Sequence, residues 1–326
     1  MKTDRMSRTH RNAAEAATAM LGVGFSARVL EPSPPTVNEG PFFADDPVAS
    51  GIAVGTTIVS PVSGSDTTWD EILRERPELA AFARAHWLGA RGPLPALPER
   101  YPAARNAFHR LAYAVVAEAR RHANSKFGLR YTARGFGTPF FGDDEQVRVM
   151  GDLVVHQTAD GVREIPITTL AEVATALGIE PGTDAAEHDS PPLGDVNEQL
   201  AVTAETGIFL GEWFGFAWSV LEELRATPGA VDPERPQLWP GHFDPALAIG
   251  DPEAGRATYG CSPGDHAHDE PYLYVGAWGD VDRTDDYWNE TTFNGASLPF
   301  SALADSDDPY SVALRFFRAG YEKLNS

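Results

Sequence analysis

Apolar residues recur at helical spacing across positions 104–124, where Phe108, Leu111, Ala112, Val115 and Ala119 follow an i, i+3, i+4, i+7 rhythm. That rhythm predicts an amphipathic helix. The period then shortens. LRYTARGFGTPFF reads as a strand, QVRVMGDLVVHQT alternates apolar and polar residues, and TADGVREIPI carries an Asp-Gly turn that predicts a hairpin. TTLAEVATALG returns to helical spacing, with Thr placed to cap its start and Gly178 to end it. Asp195 and Glu198 resemble a capping box, opening a long helix to about Thr227. Its dense stripe of Val202, Phe209, Trp213, Phe216, Val220 and Leu224 marks it as the core helix. Three more strands follow, in LWPGHFDPALAIG, GRATYGCS and PYLYVGAWG, and a last helix is expected over 308–323.

The order helix–strand–strand–strand–helix thus occurs twice, over 104–178 and 195–323. The fold class this implies is α+β, a mainly antiparallel sheet of about six strands with helices packed on one face, because hairpins rather than βαβ units join the strands. Residues 93–326 form the main domain. Residues 1–92 read as N-terminal helices and a Pro/Gly-rich wrapping segment, with IAVGTTIV as an edge strand. The basic start followed by small residues is interrupted by Glu15, which reads as a short helix or frayed end rather than a signal peptide.

Composition narrows the function classes. The net charge of −21 over 326 residues disfavours nucleic acid and anionic lipid as partners. No run approaches the roughly 18 apolar residues of a membrane span. Cys261 is the sole cysteine, so an intramolecular disulfide and a Cys-rich zinc module are excluded, and a reducing cytoplasm is the expected compartment.

The densest candidate chemistry lies in GDHAHDEPYLYVGAW, residues 264–278. His266, His268 and Glu270 form H-x-H-x-E just before a strand, and His242 and Asp244 form H-x-D on another. In extended chain alternate residues share a face, so each set points one way. Brought together they suit Zn, Fe, Mn or Ni, with Asp244 orienting an imidazole. The same residues also fit a metal-free acid–base cluster, or a polar loop flanked by Pro263-Gly264 and Pro271. Glu212, at the edge of the long helix's apolar stripe, is a candidate ligand or general base, and equally an ordinary rim carboxylate. The acidic run from Asp280 to Glu290 has Asp285 and Thr291 where a calcium loop needs Gly and Glu. Cys261 reads as a buried thiol or, with a histidine beside it, a nucleophile. Aromatics crowd the second half and serve as core or, in part, as the wall of a small-molecule pocket.

YTARGFGTP, LWPGHFD and YGCSPGDHAHDEPYLYVGAW resemble the motifs of an uncharacterised actinobacterial family known only as a domain of unknown function. In that family a similar TARG strand and a later W-x-x-x-F-D strand come in the same order. The resemblance covers residues 100–300 or so and implies one compact α+β unit of bacterial source. It transfers no functional residue. Two functions are therefore expected from the residues themselves. One is a divalent-metal-dependent, hydrolase-like enzyme with its pocket between the second-half strands and the long helix. The other is a non-catalytic small-ligand or protein-binding domain without metal.

Overall fold

Two antiparallel meanders of five strands each, with a long helix between them, stand in place of the single sheet of about six strands that the pattern suggests. The structure is a computed structural model. It describes residues 57–59, 66–68, 94–132, 135–138, 141, 145–158, 161–183, 192–225, 227, 229–234 and 236–325. Of the N-terminal segment it gives β1 (Thr57–Val59) and β2 (Asp66–Thr68), an antiparallel pair. The other elements read into residues 1–92 lie outside the described residues.

The first half opens with α1 (Tyr101–Leu111), which passes through a π-helical turn (Ala112–Val116) into α2 (Ala117–Asn124). Its meander is β3 (Arg130–Thr132), β4 (Gly135–Gly137), β5 (Gln146–Met150), β6 (Leu153–Thr158) and β7 (Gly161–Pro166), hydrogen-bonded in chain order. Then comes α3 (Leu170–Leu177). Thr169 accepts the Glu172 N–H at its start, and Gly178, at φ 75°, ends it, as its sequence predicts.

The second half opens with α4 (Ala204–Arg225). The long helix does not start at the Asp195 box. There the Asp195 carboxylate accepts the Asn197 N–H, and Glu198 pairs instead with Arg110 at 2.8 Å. Thr203 accepts the Thr206 N–H and takes over as the cap. The second meander is β8 (Gln237–Trp239), β9 (Asp244–Ile249), β10 (Ala257–Ser262), β11 (Tyr272–Ala277) and β12 (Gly295–Pro299), again in chain order. The short α5 (Phe300–Ala304) and α6 (Pro309–Leu324) close the chain, with Asp308 accepting the Ser311 N–H ahead of α6.

Helix α4 is buried on every side. Phe209, Leu210, Trp213, Phe214, Phe216, Ala217, Trp218, Val220, Leu221 and Leu224 are all in the core. A helix apolar all round needs two coats. Strands β3, β4 and β5 supply one, and β9 and β10 with α6 supply the other. The meanders touch edge to edge as well, where Leu129 and Leu238 exchange backbone hydrogen bonds at 2.9 and 3.0 Å.

In the second sheet the pleat sorts side chains between two faces, with Leu247 bordering both core and cavity. Leu247, Ile249, Tyr259, Cys261, Leu273 and Val275 join the core. Asp244, Ala246, Ala248, Thr258, Ser262, Tyr272, Tyr274 and Gly276 line the other face. No helix among the described residues is long and apolar enough to cross a membrane.

Candidate functional site

That second face forms a cavity of about 710 Å³. It exists because the middle of the sheet carries small residues. Ala246 sits opposite Gly260, and Thr258 lies between Ala248 and Gly276. Aromatic walls rise around them: Trp239 from β8, Tyr272 and Tyr274 from β11, and Phe127, Phe293 and Trp278 from flanking loops. Trp278 stays 59% exposed at the rim, where its indole N–H donates to Thr258 Oγ1 at 3.0 Å and the Arg256 guanidinium stacks on its ring at 5.1 Å. The cavity therefore lies on the side of the sheet away from α4, not between sheet and helix as the sequence pattern suggested. Glu212, half-buried on α4, is outside it, so the expected role of Glu212 as ligand or base at this site is corrected.

Asp244 begins β9 and is 3% exposed. Tyr274 donates its hydroxyl to Asp244 Oδ2. To do so the phenol ring crosses β10 over Gly260, where a Cβ would overlap Cζ, Cε1 and Oη of Tyr274. The second carboxylate oxygen, Oδ1, has no hydrogen-bond partner among the described residues. Burial pushes the Asp244 carboxyl above the usual carboxylate range, against the opposing pull of His242, the Tyr274 hydroxyl and its own backbone N–H. Burial, then the Asp244 charge, pushes the Tyr274 hydroxyl well up. Asp244 thus answers to a phenol, and the expectation that it orients an imidazole is corrected.

His242 does not share a strand face with Asp244. Pro240-Gly241 breaks LWPGHFD into two strands, and the Phe243 N–H closes the turn on the Trp239 carbonyl at 2.6 Å, with Phe243 at φ 59°. His242 is left exposed at the cavity mouth. His109 of α1 holds the turn from below. Its Nε2 is 3.0 Å from both the Pro240 and Gly241 oxygens. Carbonyls only accept, so Nε2 carries the proton. The imidazole also stacks on Phe243 at 5.2 Å. Burial lowers the His109 pKa to about 4, with Arg105 and His242 adding to the effect and the two carbonyls opposing it.

The loop 263–271 is fastened by α1. Tyr101 donates to the Pro263 carbonyl at 2.8 Å, and Arg105 donates to the His268 and Asp265 carbonyls at 3.1 and 3.0 Å. Asp265 Oδ1 accepts from the Ala267 and His268 amides, and Oδ2 accepts the Tyr272 hydroxyl at 2.7 Å. Burial opposes ionisation of Asp265, but these bonds and His268 hold its carboxyl below the usual range. His268 lies between two carboxylates, with Nδ1 3.1 Å from Asp265 Oδ1 and Nε2 3.4 Å from Glu290 Oε2. Glu270 faces elsewhere and accepts the Ser301 N–H and hydroxyl at 3.0 Å, capping α5. His266 is exposed.

The expected ligand set of His242, His266, His268 and Glu270 is therefore split between the cavity mouth, solvent, a carboxylate pair and a helix cap. Among the described residues no group of three or more His, Cys, Asp or Glu side chains is placed to hold a metal ion. Cys261 points into the core, where burial and then the Asp244 charge raise its thiol well above the usual range, which suits the inert reading.

Comparison with protein-family models, with curated proteins and with solved structures finds no match to this chain.

Proposed function

We propose that this protein is a non-catalytic small-molecule-binding domain whose ligand occupies the sheet-face cavity. The observation that carries the reading is the Asp244 carboxyl, buried on the cavity floor with one oxygen unmatched and aromatic rings around it. Natural interiors rarely leave such an oxygen without a partner, because it costs about 1–3 kcal/mol. A bound ligand would supply that partner. Volume and lining also fit the usual design, an apolar pocket of about 300–1,000 Å³ with a few convergent polar groups. A metal-dependent hydrolase has less support, since its candidate ligands are engaged or dispersed.

Gly276 supplies the test. A Cβ at Gly276 meets only the Thr258 carbonyl, at 3.9 Å, so a larger side chain enters the cavity without striking backbone. A chemically varied set of small aromatic compounds is screened by thermal shift and tryptophan fluorescence on wild type and on Gly276→Phe. The expected result is compounds that stabilise wild type and not the filled variant. If none does so, the reading fails.

A further inference from the structure

We propose that the ligand of this cavity is an organic ammonium ion bearing at least one N–H, its charged head on Asp244 Oδ1 and its apolar body against the aromatic wall. This rests on the binding reading above and gives it a ligand class. Among the described residues the acidic and basic side chains lining the cavity are Asp244, Asp265, Glu234 and His242, with no Lys or Arg. Glu234 is matched by Arg256 at 2.5 Å. Asp265 has both oxygens occupied. Asp244 Oδ1 is therefore the buried acceptor left without a partner among the described residues, in a lining that favours positive charge and repels an anion.

The walls agree. Indole and phenol faces attract a desolvated cation, and Trp239 and Tyr274 stand around the floor. An ammonium head fills only a small part of about 710 Å³, so the ligand carries an apolar body. A quaternary ammonium would satisfy the rings but has no hydrogen to give Oδ1. A neutral alcohol would give a hydrogen but no charge.

Protonation follows. The titratable groups coupled to Asp244 are Tyr274 and Tyr272 of β11 and His242 of the turn, with Cys261 of β10 sensing its charge from the core side of the sheet. Because burial favours the neutral acid, an arriving ammonium ionises it. Ammonium binding therefore weakens as pH falls, and in the acidic range it releases a proton.

The test uses the whole chain and four probes of one shape: phenylbutylamine, its trimethylammonium analogue, phenylbutanol and phenylbutyrate. Tryptophan fluorescence and calorimetry near pH 7 read the affinities. The primary amine should bind about ten-fold to a hundred-fold tighter than the alcohol. It should also bind tighter than the quaternary analogue, and the carboxylate should bind weakest. Asp244→Asn should remove the preference for the amine over the alcohol. Calorimetry of wild type in two buffers of different ionisation enthalpy, at stepped pH below 7, should show proton release that grows as pH falls and needs no variant to fold. Alcohol or carboxylate binding as tightly as the amine, with Gly276→Phe blocking it, would leave the pocket standing and overturn the ammonium class. A quaternary probe as tight as the primary amine, or an Asp244→Asn variant with amine affinity intact, also overturns it. No binding by any probe overturns both readings.

Discussion

Gly260→Ala and Gly276→Ala make the same chemical change on the cavity face of neighbouring strands, and the structure predicts opposite outcomes. At Gly260 the added methyl meets the Tyr274 ring well inside the roughly 3.5–4.0 Å optimum for carbon contacts. The ring must tilt away, and its hydroxyl then leaves Asp244 with neither oxygen matched. Overpacking costs about 1–3 kcal/mol and the lost buried hydrogen bond about 1–3 more, against a gain of about 0.4–1 from the stiffer unfolded chain. The net loss is about 2–4 kcal/mol, allowing for partial relaxation of a ring that borders open space. At Gly276 the methyl finds ordinary contact at 3.9 Å, so only the gain of about 0.4–1 kcal/mol remains. Urea unfolding of both variants measures the difference. Repeating Gly260→Ala in a Tyr274→Ala background isolates the cause, because without the ring the methyl should be tolerated. Equal stabilities for the two glycine variants, or a Gly260→Ala penalty that persists without Tyr274, would refute the account of how Tyr274 reaches Asp244.

Other expectations concern the supports of the site. His109 binds its proton at about 4 in the fold and near 6.5 unfolded, so the unfolded chain takes up a proton first as pH falls. Stability is then lost from about pH 6.5 down to about 4, by at most about 3 kcal/mol and less because the ring keeps some exposure; the excess of wild type over His109→Gln should shrink across that window in denaturation at stepped pH. Glu270→Ala should cost about 1 kcal/mol through loss of the α5 cap, and unchanged unfolding in urea would remove that role. Cys261 should react with a thiol reagent only at the rate at which the native protein opens; fast labelling of the folded protein would contradict its burial.

The parts legible in sequence were those that local chemistry decides. Thr169 and Gly178 bound α3 because an N-cap hydroxyl and a left-handed glycine act within one turn. The last helix, expected over 308–323, spans Pro309–Leu324, and Asp308 accepts the Ser311 N–H just ahead of it. Asp195 misled because its box was satisfied by a short turn, while Thr203, eight residues later, holds the cap. LWPGHFD was read as one strand because the left-handed Phe243 is enforced by His109, which lies more than a hundred residues away. The Asp244–Tyr274 contact spans two strands across Gly260, and no spacing rule reveals a register. Glu290 beside His268, and Ser301 beside Glu270, are likewise pairings made only by the fold. The histidine run looked like a metal site because composition was visible and its partners were not.

Helix α4 has a consequence for how the chain can be divided. It belongs in sequence to the second half, yet β3, β4 and β5 of the first half form one of its two walls. A cut in the connection between α3 and α4 would leave the C-terminal piece with a bare side of large apolar residues, and the N-terminal piece with an uncovered sheet. Neither piece is expected to stay monomeric alone. Mixed, they should recover one another by fragment complementation, with the tryptophans of α4 reporting reassembly. The matching element order of the halves is thus a likeness of plan, and the two share a single interior.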